Sequence, residues 1–244
     1  MHKKKTGGIL DTLKTVFWAV LIALLVRTFA YEPFNIPSGS MIPTLLVGDY
    51  LFVSKFSFGY SKHSLPFSLP LIPGRVMESQ PERGDVVVFK LPSDTSQDYI
   101  KRVIGLPGDT VQVTNGRLYI NNKMVERERI EDYILTDGTG RSAAVAQYLE
   151  TLPNGRVHRI LEPFGDQGPS DNTEPFTVPE DHFFMMGDNR DNSADSRAFP
   201  SRFRFVPIEN LVGRAEFLFY SKDSSQPIYD LGSIRYDRLF QGVN

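Results

Sequence analysis

The chain predicts a mostly β protein held behind one N-terminal transmembrane helix. Three observations predict this. Short β-prone apolar segments recur between turn residues after residue 35. One uncharged apolar run stands near the start. A polar stretch punctuated by Gly and Pro divides the strand-rich part in two. With 244 residues, 41% of them hydrophobic and 12% aromatic, the chain can bury a sizeable core, which excludes disorder over most of its length.

The apolar run is Val16 to Val26, VFWAVLIALLV. A bilayer core needs about 20 predominantly apolar residues. That length is reached from Ile9 onward if Lys14 and Arg27 snorkel to the two surfaces and Tyr31 and Phe34 sit at the interface. A cleaved leader has the same basic start and short apolar stretch. The residues that carry chemistry begin directly after this segment, so a retained anchor is favoured. We expect a basic cytoplasmic tail over 1–14, an anchor over 15–33 and everything beyond on the outer side, because Lys3, Lys4 and Lys5 precede the span.

Strand signals follow in order. Tyr50–Phe56, Asp85–Leu91, Tyr99–Leu106, Phe183–Met186 and Ala215–Tyr220 are apolar and β-prone. Thr110–Thr114 and Arg117–Ile120 flank Asn115-Gly116, the pair that supplies the positive φ angles of a type I′ hairpin. The only helical period after residue 35 is a weak one near Ser142–Leu152. Residues 59–82 hold four prolines among Leu65, Leu69 and Leu71 and read as a packed irregular loop or, less simply, an apolar rim against lipid. Residues 120–179 are polar and read as an insertion, leaving 34–119 and 180–244 as one core.

Composition narrows the chemistry. A net charge of −2 gives no sign of a nucleic-acid partner. The absence of cysteine excludes disulfides, thiolate metal sites and cysteine nucleophiles. The four histidines show no triad or ligand spacing.

Three clusters remain. Pro37-Ser-Gly-Ser-Met-Ile-Pro-Thr-Leu45 places two serines on a turn stiffened by proline, without the G-x-S-x-G elbow of α/β hydrolases. Lys101 lies in the strand-like Asp98–Gly105. An ordinary strand lysine is exposed and charged. As a base for a serine hydroxyl it must be neutral, which requires its pKa to fall from about 10.4 to near 8 through burial. Gly187-Asp-Asn-Arg-Asp-Asn-Ser-Ala-Asp-Ser-Arg197 is a dense polar loop. It fails the calcium-loop pattern because Arg190, Ser193 and Phe199 occupy the third, sixth and twelfth positions, so no metal binding is expected of it.

Taken together, Ser38–Leu45, Arg83–Phe89, Tyr99–Asp109 and Gly187–Arg197 resemble the successive motifs of bacterial signal peptidase I, in order. Arg27–Pro37 and Val206–Gly213 resemble the family's flanking segments. The resemblance implies a signal-peptidase-like β-sheet catalytic core with an inserted smaller β-rich domain. It implies removal of signal peptides from secretory preproteins after Ala-x-Ala at the bacterial plasma membrane, near lipid and the export translocon, with no cofactor and no metal. By the same resemblance Ser40 matches the nucleophile and Lys101 the general base. The Ser40 N–H and the Ser38 hydroxyl match an oxyanion hole. Ser193 matches a residue that hydrogen-bonds and orients the lysine. Asp195 with Arg197, and Asp188 with Arg102, match structural ion pairs. Phe34, Ile36, Pro37, Met41, Leu45, Val88, Tyr99 and Ile100 match the lining of shallow substrate pockets.

Overall fold

A computed structural model of the chain describes residues 8–136, 141–223, 226 and 229–243. Lys3, Lys4 and Lys5 of the expected basic tail lie outside the described residues. A single helix, Ile9–Phe29, opens the described chain, and Thr28 is its only buried residue. A 21-residue helix that exposes Phe17, Trp18, Ile22 and Leu25 on all sides fits one membrane crossing. It begins and ends earlier than the expected 15–33. Lys14 does not interrupt the backbone ladder, and Tyr31 is already taken by strand pairing with Ser54. Glu32 anchors the exit, accepting from Arg27 at 2.7 Å and from the buried Lys55 at 2.6 Å.

The main sheet has seven antiparallel strands. Their spatial order is Tyr31–Asn35, Asp49–Ser54, Leu211–Ser221, Val86–Leu91, Asp94–Gly105, His182–Met186 and Val206–Pro207. The run Val86-Val-Val-Phe89 is apolar without alternation because both faces are covered. Val86 and Val88 pack with Met41, Leu45 and Ile100, while Val87 and Phe89 pack with Val103, Phe183 and Met185. The strands expected from sequence all form. Asn115 and Gly116 have φ of 48° and 68°, the two positive values a type I′ hairpin requires.

The polar stretch carries its own sheet, in which Ser142–Thr151 pairs with Glu126–Arg129, Tyr133–Thr136 and Val157–Glu162. The weak helical period near Ser142–Leu152 therefore gives way to a ten-residue strand. Its buried positions include the polar Gln147 and Glu150, which blur the two-residue alternation that marks a strand. A further sheet joins Thr110–Ile120 to Phe176–Thr177, so the junctions expected at 120 and 179 are bridged by strand pairing. Residues 59–82 form short 3₁₀ turns and a two-stranded ladder. They bury Ser61, His63 and Ser64 and expose Leu71 and Met77.

Candidate active site

Ser40 sits on the turn that follows the first strand and Lys101 in the middle of Asp94–Gly105. The turn is clamped from behind by the 187–197 loop. Asn189 donates its backbone N–H to Ser40 O at 3.1 Å and its side-chain amide to Gly39 O at 3.0 Å. Gly187 permits the approach, since a Cβ there would lie 2.5 Å from Ser40 O and 2.3 Å from Ser193 Oγ.

This packing brings the Lys101 amine 2.7 Å from Ser40 Oγ, and the amine also donates to Ile100 O at 2.9 Å. Lys101 is 3% exposed and its amine lies 5.4 Å from the centre of the Tyr99 ring. Burial pushes its pKa down to about 8, opposed by the negative charges of Asp195 and Asp188. A substantial neutral fraction near pH 8 gives the amine a free lone pair directed at a hydroxyl. Ser38 Oγ lies 3.4 Å from Ser40 Oγ.

Two forked ion pairs stiffen the surroundings. Arg102 donates to Asp188 through Nε at 2.8 Å and Nη2 at 2.6 Å, and its Nη1 reaches Gly84 O at 2.8 Å. Arg197 donates to Asp195 through Nε at 3.0 Å and Nη2 at 2.9 Å, and Asp195 also accepts from Gly187 N–H at 3.0 Å. Burial disfavours ionising either carboxyl. Arg102 at Asp188 and Arg197 at Asp195 outweigh it and hold both below the ordinary carboxylate range. A third buried pair, Arg190 with Glu150, ties the inserted sheet to the same loop, with His158 alongside at 3.4 Å. Burial lowers the His158 pKa to about 4, so it stays neutral near pH 7.

A cleft of about 480 Å³ opens onto the serine and lysine. Phe34, Ile36, Pro37, Val88, Tyr99 and Ile100 line it as expected from the motifs, joined by Asn35, Asp98, Asn192 and Ala194, which sequence reasoning missed. Met41 and Leu45 do not line it. Both are fully buried beneath the turn, in the apolar cluster with Leu51 and Val53, where they support the cleft floor. Ser193 also departs from expectation. It lies close to Gly187, and among the described residues the hydrogen bonds of the Lys101 amine go to Ser40 and to the Ile100 carbonyl instead. The strand's own carbonyl, Ile100 O, accepts the amine's second hydrogen bond.

The family model for signal peptidase, peptidase S26, matches residues 9–220. Signal peptidase I of Rickettsia typhi is 44% identical over 246 residues, covering 93% of this chain and 90% of that protein. Signal peptidase I of Rickettsia canadensis is 40% identical over 250 residues, covering 94% and 92%. A crystal structure of a signal peptidase I from Enterococcus faecalis is 26% identical, covers 56% of this chain and 97% of that one, and superposes with a TM-score of 0.32. With a match spanning most of its length and relatives at this level of identity, the chain belongs to the signal peptidase family, peptidase S26.

Proposed function

We propose that the chain is a membrane-anchored serine endopeptidase that removes N-terminal signal peptides from exported preproteins after Ala-x-Ala, with Ser40 as nucleophile and Lys101 as general base. One observation carries the reading: a nearly fully buried amine, its pKa lowered to about 8, lies 2.7 Å from a serine hydroxyl at the base of a cleft. Neutral Lys101 accepts the Ser40 proton as Oγ bonds to the scissile carbonyl carbon. The developing oxyanion accepts from the Ser40 N–H and the Ser38 hydroxyl, donors each worth about 3–4 kcal/mol in such sites. When the C–N bond breaks, Lys101 returns the proton to the leaving amine. It then takes a proton from the water that attacks the acyl carbon and passes it to Ser40 Oγ as the acyl–oxygen bond breaks.

An extended substrate would run along the cleft that residues 34–40 and residues 98–101 line. Phe34, Ile36, Val88 and Ile100 leave room for Ala and exclude larger side chains, so selection rests on steric rejection. The helix Ile9–Phe29 would cross the bacterial plasma membrane with its N-terminus in the cytoplasm and hold the cleft at the outer lipid surface, close to the translocon. Confinement to that surface raises the encounter rate with membrane-bound preproteins.

The test uses the detergent-solubilised chain and a preprotein whose signal ends in Ala-x-Ala. The expected result is a mature product that starts at the residue after the second Ala, and no product from Ser40→Ala. Absence of cleavage by the wild type, or cleavage by Ser40→Ala, would overturn the reading.

A further inference from the structure

A second polar cluster lies outside the cleft. One carboxylate oxygen from each of Glu162, Asp171 and Asp191 lies within 4.8 Å of the other two. Glu162 ends the strand Val157–Glu162, Asp171 lies in the turns that follow, and Asp191 comes from the loop behind Ser40. Each carboxylate is held at one oxygen. Arg127 Nη1 donates to Glu162 Oε1 at 3.3 Å, Gly168 N–H to Asp171 Oδ2 at 2.5 Å, and Phe164 N–H to Asp191 Oδ2 at 2.7 Å. The other oxygens, Glu162 Oε2, Asp171 Oδ1 and Asp191 Oδ1, are buried and accept no hydrogen bond among the described residues. Glu162 and Asp171 are 2% and 1% exposed.

Three carboxylates side by side, each with a buried unpaired oxygen, repel one another and lack solvation. The terminal nitrogens of the nearby arginines are divided among several acceptors. Arg190 gives both terminal nitrogens to Glu150, and Arg127 is shared with Asp166. The chain nevertheless keeps the groups close. A Cβ at Gly168 would lie 1.8 Å from Asp191 Oδ1, although φ there, at the end of the 165–167 turn, is an ordinary −67°. Glycine at 168 serves the approach of the turn to Asp191, not an unusual backbone angle.

We propose that Glu162, Asp171 and Asp191 form a structural divalent-cation site of calcium chemistry, which staples the inserted sheet to the loop bearing Asn192 and Ala194. Oxygen ligands sit about 2.3–2.6 Å from calcium, which places them no more than about 5 Å from one another. The backbone N–H groups and Arg127 orient the ligands as outer partners do in metal sites. The site is independent of the serine chemistry, and no proton-transfer step passes through it. Its ligands are separated in sequence, and only Asp191 belongs to the 187–197 loop that fails the calcium pattern.

Calcium chloride is titrated at pH 7 into the chelator-stripped full chain in detergent. Binding is read by calorimetry, with thermal unfolding in parallel. The expected result is one ion per chain and a Tm higher by roughly 5–10 °C at calcium about a hundredfold above its Kd. Asp171→Asn and Asp191→Asn each weaken binding by at least about tenfold. Absence of saturable binding to the wild type overturns the proposal. So does unchanged affinity in both variants, which would mark an adventitious ion only. A Tm that ignores calcium but rises in Glu162→Gln would show a proton shared among the carboxyls in place of a cation, and also overturns it. The wild-type titration stands without the variants, so a variant that does not fold leaves the test intact.

Discussion

Moving the pH from 7 to 9 changes how much of the Lys101 amine is free to act. Its pKa of about 8 makes the neutral form about 9% of molecules at pH 7, half at pH 8 and about 91% at pH 9. For a preprotein substrate, kcat/KM should rise about tenfold across this interval and flatten by about pH 9.5. A lysine left at 10.5 would instead give a rise of about a hundredfold from pH 7 to 9, with no plateau below pH 10. The assay measures initial rates at subsaturating preprotein in detergent at constant ionic strength, and each sample is re-assayed at pH 8 to show that exposure did no damage. A log-linear climb through pH 10 would refute the reasoning, because the amine would then be titrating as if in water. A flat profile from pH 6 upward would refute it too, because no base would be titrating at all.

Lys101→Met should stabilise the fold while abolishing cleavage. The folded pKa lies below the unfolded one, so the penalty is full below pH 8 and fades as pH rises from 8 to 10.5. The variant should therefore gain up to about 3 kcal/mol at pH 7 and nothing above about pH 10.5, read by denaturant unfolding at each pH. Equal stability of variant and wild type at pH 7 would contradict the buried amine. Arg102→Met leaves Asp188 charged and buried beside Thr44 and should cost about 3–5 kcal/mol of stability, seen as a lowered Tm. Gly187→Ala drives a Cβ towards Ser40 O and Ser193 Oγ, and should lower kcat by about a hundredfold with the fold retained by circular dichroism.

Much of this arrangement is legible along the chain. Asn115-Gly116 specifies its hairpin through local backbone sterics, and the unbroken Val86–Phe89 run signals a strand covered on both faces. The motifs around Ser40, Lys101 and Asp188–Arg197 mark the strand and the two loops that meet at the cleft. What escaped depends on tertiary packing. Nothing local separates Met41 and Leu45, which turn into the core, from Ile36, which belongs to the core cluster yet also lines the cleft. Asp98 and Ala194 join the cleft only because distant segments converge there, and no spacing announces them. The strand Ser142–Thr151 hides behind its buried Gln147 and Glu150, whose partners include Arg190 on another element. The helix ends escaped as well, because Lys14 is as compatible with a helix interior as with its edge.

The dyad is tested most directly by a double-mutant cycle on cleavage rates. Ser40→Ala and Lys101→Met are compared singly and together on one preprotein, with the anchor retained. If the hydroxyl and the amine 2.7 Å apart act as one unit, each single change lowers kcat/KM by at least about a hundredfold and the double variant is no slower than the worse single one. Losses that multiply, or a Lys101→Met enzyme that cleaves within tenfold of wild type, would contradict the dyad.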